Sequence, residues 1–310
     1  MKENITLYRA FGLFISSELK LPPLAMAENQ HTAADVSIRI AQISKRGLNC
    51  PLIDGDWYQA SPMQFWMQVD GIASFTVTNG SSIVIDPEPE AEPRSIQLYL
   101  LGSCMGALLL QKKYLVIHGN AIRFNNHCVI FAGPSGAGKS TLAAAFHRRG
   151  YDILADDVCP VNGDGYVIPS FPQLKLWHDA TEKLKIDTSD LERVHLDIEK
   201  FSFPFQQAFN QPVPLAAIYV LSSNNQNRFN IDILKGMKSF DALLQNTYRL
   251  LFLKGLGLMP THFQQCCELA SRIHVARISR PDQDFQLDTL VDVILADLWE
   301  KNLVLPKPKP

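Results

Sequence analysis

Over the first 86 residues, apolar and β-branched side chains gather in short alternating runs. Residues 6–15, 36–43, 64–69, 74–78 and 83–85 read as strands. Asp54-Gly55, Asp70-Gly71 and Asn79-Gly80 between them are turn signals, and the last three strands read as a meander. A charged, proline-rich run from Asp86 to Pro93 then stops regular structure. Beyond it the period lengthens. Ser95 is placed to cap a helix running to about Lys113, and strands are predicted at 115–118, 120–124 and 128–132, with a turn at Asn125-Asn126. A helix over 140–149, closed by Gly150, leads to a strand at 152–156. Residues 158–161 and 166–168 flank Asn162-Gly163-Asp164-Gly165 as a hairpin. Further on, 215–222 and 229–234 read as paired strands, 275–278 as a short strand, and 237–254, 260–273 and 286–302 as helices. The pattern divides the chain into a β-rich region over 1–90, an α/β domain over 91–305 and a disordered tail over 306–310, with no internal repeat.

Composition narrows the class. Hydrophobic residues make up 46% and charged residues 19%, which fits a globular chain with a sizeable core. A net charge of -2 argues against a nucleic-acid binder held by bulk basicity. Cys50, Cys104, Cys128, Cys159, Cys266 and Cys267 form no C-x-x-C pair and no zinc spacing. Free thiols, buried at the vicinal pair Cys266-Cys267, are expected, as in a reducing compartment. The N-terminal residues lack the apolar run of a signal peptide. The most apolar stretch, 98–110, is shorter than the ~20 residues that span a bilayer and reads as a buried helix. A cytoplasmic protein without membrane or nucleic-acid partners is expected, and the sequence is compatible with a homo-oligomer.

The chemistry concentrates after residue 117. Gly133-Pro134-Ser135-Gly136-Ala137-Gly138-Lys139-Ser140 matches G-x-x-x-x-G-K-[ST] in full. Apolar Val129–Ala132 precedes it as a buried strand, and Thr141 onward continues it as a helix. Glycines let successive N–H groups turn inward toward phosphate oxygens, and the helix N-terminus adds partial positive charge. Lys139 then reaches the outer phosphates, and the Ser140 hydroxyl suits Mg²⁺. Residues 133–141 are therefore the candidate nucleotide-binding loop. The alternative is a glycine-rich turn that merely precedes a helix.

Asp156 and Asp157 end the next strand, at the sheet edge where ligands sit in open α/β sheets. Adjacent strand residues face opposite ways, so the two cannot point alike unless the strand bends. One can hold Mg²⁺ while the other faces an incoming hydroxyl as base, or one merely caps a turn or pairs with a surface cation. The order favoured here is Asp156 as base and Asp157, with Ser140, at the metal. His118, at the end of an apolar strand, is either a core histidine or a functional one.

Taken together, His118-Gly119, the loop 133–140 and Gly150-Tyr-Asp-Ile-Leu-Ala-Asp156-Asp157 resemble the catalytic core of the HPr kinase/phosphorylase family, from about residue 115 to 162. Thr141 stands where that family usually has Glu, and its E-x-R-G-x-G signature is replaced by Ile168-Pro-Ser-Phe-Pro-Gln-Leu-Lys-Leu-Trp177. That run resembles divergent members found beside peptide-modification clusters, including lasso-peptide tailoring kinases. The resemblance implies an α/β P-loop kinase domain of the HPr kinase / phosphoenolpyruvate carboxykinase type, preceded by the β-rich N-terminal region. It implies ATP and Mg²⁺ as cofactors, Asp156, Asp157, His118 and Lys139 as catalytic residues, and Lys175 as the cation nearest the family's missing Arg. Its expected activity is transfer of the γ-phosphoryl group to a Ser hydroxyl of a peptide or protein. A small-molecule kinase on the same core and a nucleotide-binding regulatory module without turnover are the alternatives. An ABC-type ATPase and a Ras-like GTPase are disfavoured because L-S-G-G-Q and N-K-x-D segments are absent.

Overall fold

The computed structural model describes residues 5–195, 198–205, 209–225, 228–282 and 286–304. The chain is mixed α/β. It opens with strands β1 (Thr6–Ala10), β2 (Leu13–Ser17), β3 (Ala25–Met26), β4 (Val36–Ile40), β5 (Ile53–Asp54), β6 (Tyr58–Ser61), β7 (Gln64–Val69), β8 (Ala73–Thr78) and β9 (Ser82–Pro87). Helices α1 (Pro93–Tyr99) and α2 (Met105–Gln111) follow, joined by a π-helical turn over Leu100–Cys104. Then come β10 (Leu115–Phe124), β11 (His127–Ala132), α3 (Lys139–Arg148), β12 (Asp152–Val161), β13 (Tyr166–Val167), β14 (Gln173–Trp177) and α4 (His178–Leu184). The remainder is β15 (Glu192–His195), β16 (Ile198–Pro204), β17 (Val213–Asn224), β18 (Asn230–Ile233), α5 (Met237–Gln245), α6 (Leu250–Gly255), α7 (Met259–Arg272), β19 (His274–Pro281) and α8 (Leu287–Glu300).

Two compact units result. The first comprises residues 1–116 and 248–264, the second 117–247 and 265–310. The first is built on one sheet of order β3-β1-β2-β4-β9-β8-β7-β6-β5, in which β7, β8 and β9 form the expected antiparallel meander. Residues 6–15, which read as one strand, are a hairpin: Phe11 (φ 54°) and Gly12 (φ 70°) make the turn between β1 and β2. A fully buried Phe at a left-handed turn position carries no turn signal in its sequence.

The sequence reading divided the chain at 90/91, whereas the compact units part at 116/117. The reason is the helical segment after the prolines. Buried Gln111, at the end of α2, accepts from the Gly80 N–H at 2.7 Å and donates to the Val77 carbonyl at 3.1 Å, tying α2 to the β8–β9 turn. Ser95 is not the cap of this segment. Glu92 holds the N-cap position with Pro93 in the first turn.

In the second unit the main sheet runs β11-β10-β12-β13-β17-β19-β18, and β11 also pairs in parallel with β17. The core between this sheet and α3 and α8 is aromatic: Phe131 and Phe146 stack at 5.3 Å between centroids, and Phe131 lies 6.0 Å from Tyr219. Arg149 fixes α3 to α8 through Asp288 and Asp292. Three expectations change here. Residues 115–124 form one strand rather than two, and so do 152–161. β17 and β18 are not partners, because β19 lies between them. Residues 237–254 are two helices, broken at Arg249 with φ 52°. A smaller sheet, β14-β16-β15, was not anticipated at all. The expected disordered tail 306–310 lies outside the described residues.

Among the described residues no helix is long and apolar enough to cross a membrane. Cys104, Cys128, Cys159 and Cys266 are buried free thiols, whereas Cys50 and Cys267 are exposed. The vicinal pair is therefore split, since neighbours on a helix point about 100° apart.

Candidate functional site

Every sequence-selected residue of the candidate site lies in the second unit. β11 ends at Ala132, and its chain turns through Gly133 (φ 140°), Gly136 (φ 81°) and Gly138 (φ 95°) before α3 starts at Lys139. The loop is tight at its base and open at its crown. A Cβ on Gly133 would stand 2.8 Å from the Leu221 carbonyl oxygen, whereas one on Gly136 or Gly138 would meet no protein atom within 4 Å. Glycine is thus required at 133 by close approach and at 136 and 138 by backbone conformation.

Lys139 is 7% exposed and folds back on its own loop, donating from Nζ to the Gly133 carbonyl at 2.8 Å and the Pro134 carbonyl at 3.1 Å. Burial pulls its ammonium below the usual lysine value, partly offset by Asp157 and Asp156. The loop carbonyls satisfy the charge locally.

The aspartate pair is arranged by one unusual residue. Asp157 has φ 63° in the middle of β12, a left-handed conformation that Asp tolerates better than most residues. This kink breaks the alternation of the strand, so both carboxylates reach one locality. Asp156 accepts from the Lys175 backbone N–H at 2.8 Å, from Asn120 Nδ2, and from Ser140 Oγ at 3.4 Å. Asp157 faces Lys175 Nζ at 3.4 Å and Lys200 Nζ at 4.0 Å. The structure therefore brings Ser140 to Asp156, not to Asp157 as the sequence reading paired them. The two carboxyls are also driven apart in acidity. Burial, and next the charge on Asp157, push Asp156 up. Burial would raise Asp157 too, but Lys175 and Lys200 outweigh it and hold Asp157 below the ordinary carboxylate range.

β10 supports the pair from behind. Burial, then the charge of Lys139, pull His118 below the usual histidine value, with Asp157 opposing. Its Nδ1 is 3.2 Å from the Asp157 carbonyl oxygen, so Nδ1–H is the donor and the ring grips the backbone of the left-handed residue. Gly119 admits β11: a Cβ there would stand 2.7 Å from the Phe131 carbonyl oxygen. Asn120, two residues beyond His118, donates to Asp156. The short run His118-Gly119-Asn120 thus serves both aspartates, His118 through the Asp157 backbone and Asn120 through the Asp156 carboxylate. Asn120 and Lys200 were missed in the sequence. Asn120 adjoins the His-Gly signal, but Lys200 has no local signal whatever.

The donor set fits Mg²⁺ with a nucleotide. A hydroxyl and a carboxylate stand side by side, and the buried Asn120 Oδ1 has no hydrogen-bond partner, leaving an acceptor at hand for metal-bound water. Among the described residues no group of three or more His, Cys, Asp or Glu side chains is arranged to hold a metal alone. A Mg²⁺ bound mainly through phosphates and water needs no such cage.

No protein-family model and no curated protein matches the chain. Among solved structures, the Hpr(Ser) kinase/phosphatase from Coxiella burnetii is similar with a TM-score of 0.24 and 13% identity, over 60% of this chain and 97% of that one.

Proposed function

We propose that the chain is an ATP-dependent kinase that transfers a phosphoryl group to a serine hydroxyl of a peptide or protein. The observation that carries this reading is the meeting of Lys139 and Ser140, on the glycine-rich loop, with two carboxylates held in different electrostatic states. Phosphoryl transfer asks mainly for positioning and charge neutralisation. Residues 133–141 cradle the phosphates with backbone N–H groups, and Lys139 exchanges its loop carbonyls for phosphate oxygens. Ser140 and Asp156 face the Mg²⁺, which supplies charge neutralisation across the phosphates when bound. Asp157, which faces Lys175 and Lys200, takes the proton of the attacking hydroxyl. This order of the two aspartates follows the contact of Asp156 with Ser140 and reverses the order favoured from sequence, because geometry ranks above acidity in choosing a base.

Calorimetric titration of Mg-ATP against the parent chain and Lys139→Ala tests the nucleotide site, with circular dichroism as the folding control. A strong loss of affinity with an unchanged spectrum is expected, and unchanged affinity overturns the assignment. Transfer of labelled phosphate to serine peptides then separates the kinase from a nucleotide-binding module: Asp156→Asn should raise the Mg²⁺ requirement and keep residual transfer.

A further inference from the structure

Neither the loop motif nor the aspartate pair accounts for one cation at this site. In the antiparallel pair β14–β16, Trp177 stands opposite Lys200, and Lys175 opposite Ser202. Directly paired residues, and residues two apart, share a face of a sheet. Lys175, Trp177, Lys200 and Ser202 therefore lie on one face, while Leu174 and Leu176 on the other are completely buried. The polar face meets Asp157, at 3.4 Å from Lys175 Nζ and 4.0 Å from Lys200 Nζ.

Three ammonium groups, on Lys139, Lys175 and Lys200, thus gather about two carboxylates. The Lys175 and Lys200 side chains are only 14% and 20% exposed, and Asp157 serves both. Among the described residues these three ammonium groups share a partly buried place. Such charge is expensive to hold unless an anion completes it. Of the two lysines at Asp157, Lys200 is the more distant, and its Nζ sits 5.7 Å from the ring centre of the half-exposed Trp177. Its flexible stem can swing the ammonium off Asp157 without disturbing the backbone.

We propose that Lys200 grips the terminal phosphoryl group of bound ATP, exchanging Asp157 for phosphate oxygens, and so gives the site a preference for a nucleoside triphosphate over the diphosphate. The inference rests on the kinase reading above, and it adds a residue from a strand pair with no phosphate motif. Lysine serves as a point charge toward phosphate, and a hydrogen bond to a charged group contributes about 1.5–3 kcal/mol.

The test is calorimetric titration of the full chain with Mg-ATP and, separately, Mg-ADP, on the parent and on Lys200→Met. Methionine keeps the apolar stem beside Trp177 and removes only the charge. The expected result is a loss of roughly 10- to 100-fold in ATP affinity, with ADP affinity changed less than about threefold. If Lys200→Met loses its circular dichroism signal, Lys200→Gln carries the same comparison. An ATP affinity that falls no more than the ADP affinity overturns the role of Lys200 and leaves the nucleotide site standing. A parent chain that binds neither nucleotide overturns both readings.

Discussion

Asp157→Asn isolates the electrostatics of the site from its backbone. Asn is at least as tolerant as Asp of the left-handed conformation at φ 63°, so the kink in β12 should survive. The volume is unchanged, and what disappears is one negative charge between Lys175 at 3.4 Å and Lys200 at 4.0 Å. At an effective dielectric constant of about 20, those two pairs attract by roughly 5 and 4 kcal/mol before the cost of desolvating the ions is subtracted. Removing one partner of a buried ion pair typically costs about 3–5 kcal/mol. Two effects lower the figure here. The three side chains retain 14–22% exposure, and Asp156, freed of its charged neighbour, ionises more readily and takes over part of the compensation. A loss of about 2–3 kcal/mol of unfolding free energy is therefore expected without nucleotide. Urea titrations followed by fluorescence, at constant m-value, measure it. The pH dependence supplies a second constraint. Asp157 has a folded value below its unfolded one, so its contribution is present above the ordinary carboxylate range and vanishes as pH falls through the folded value. The gap between parent and variant should be full near neutrality, shrink below about pH 4 and close only as pH falls through about 2. A variant with the parent's midpoint at neutral pH, or a gap that widens on acidification, would refute the charge cluster described here.

Two further substitutions address how the site and the first unit are built. Gly119→Ala pushes a methyl into the Phe131 carbonyl of the neighbouring strand, and a loss of about 1–3 kcal/mol in chemical denaturation is expected, whereas Gly136→Ala, with open space around its Cβ, should cost only about 1–2 kcal/mol of backbone strain. Gln111→Ala orphans the buried Gly80 N–H and the Val77 carbonyl, so thermal unfolding should show a loss of roughly 2–4 kcal/mol; a neutral result would detach α2 from the first sheet.

What could be read from the sequence follows the range of each interaction. The meander of β7, β8 and β9 was legible because its turns carry Asp-Gly and Asn-Gly pairs, and the glycine-rich loop between β11 and α3 because its constraints sit in consecutive residues. The hairpin at Phe11-Gly12 was not, because there a buried aromatic fills a left-handed position for reasons of packing. The pairing of β17 with β18 failed for the opposite reason. Nearness in sequence suggested partners, but β19, arriving some 40 residues later, inserts between them.

The same distinction runs through the site. Asp156 and Asp157 were selected by their place after a glycine loop, but their order was not available, since alternation along a strand presumes a regular strand. The left-handed turn at Asp157 removes that premise, and a non-glycine residue there gives no warning in sequence. Lys175 and Lys200 are further from reach. They stand 25 positions apart, on strands that carry no phosphate motif, and only the register of β14 on β16 makes them neighbours at one carboxylate. A loop that binds phosphate through its backbone must be written locally, because consecutive N–H groups do the binding. Cations that balance charge across a site need only arrive, and any strand of suitable register can carry them. Residues of that second kind leave no mark in the local sequence, and here they lie on β14 and β16.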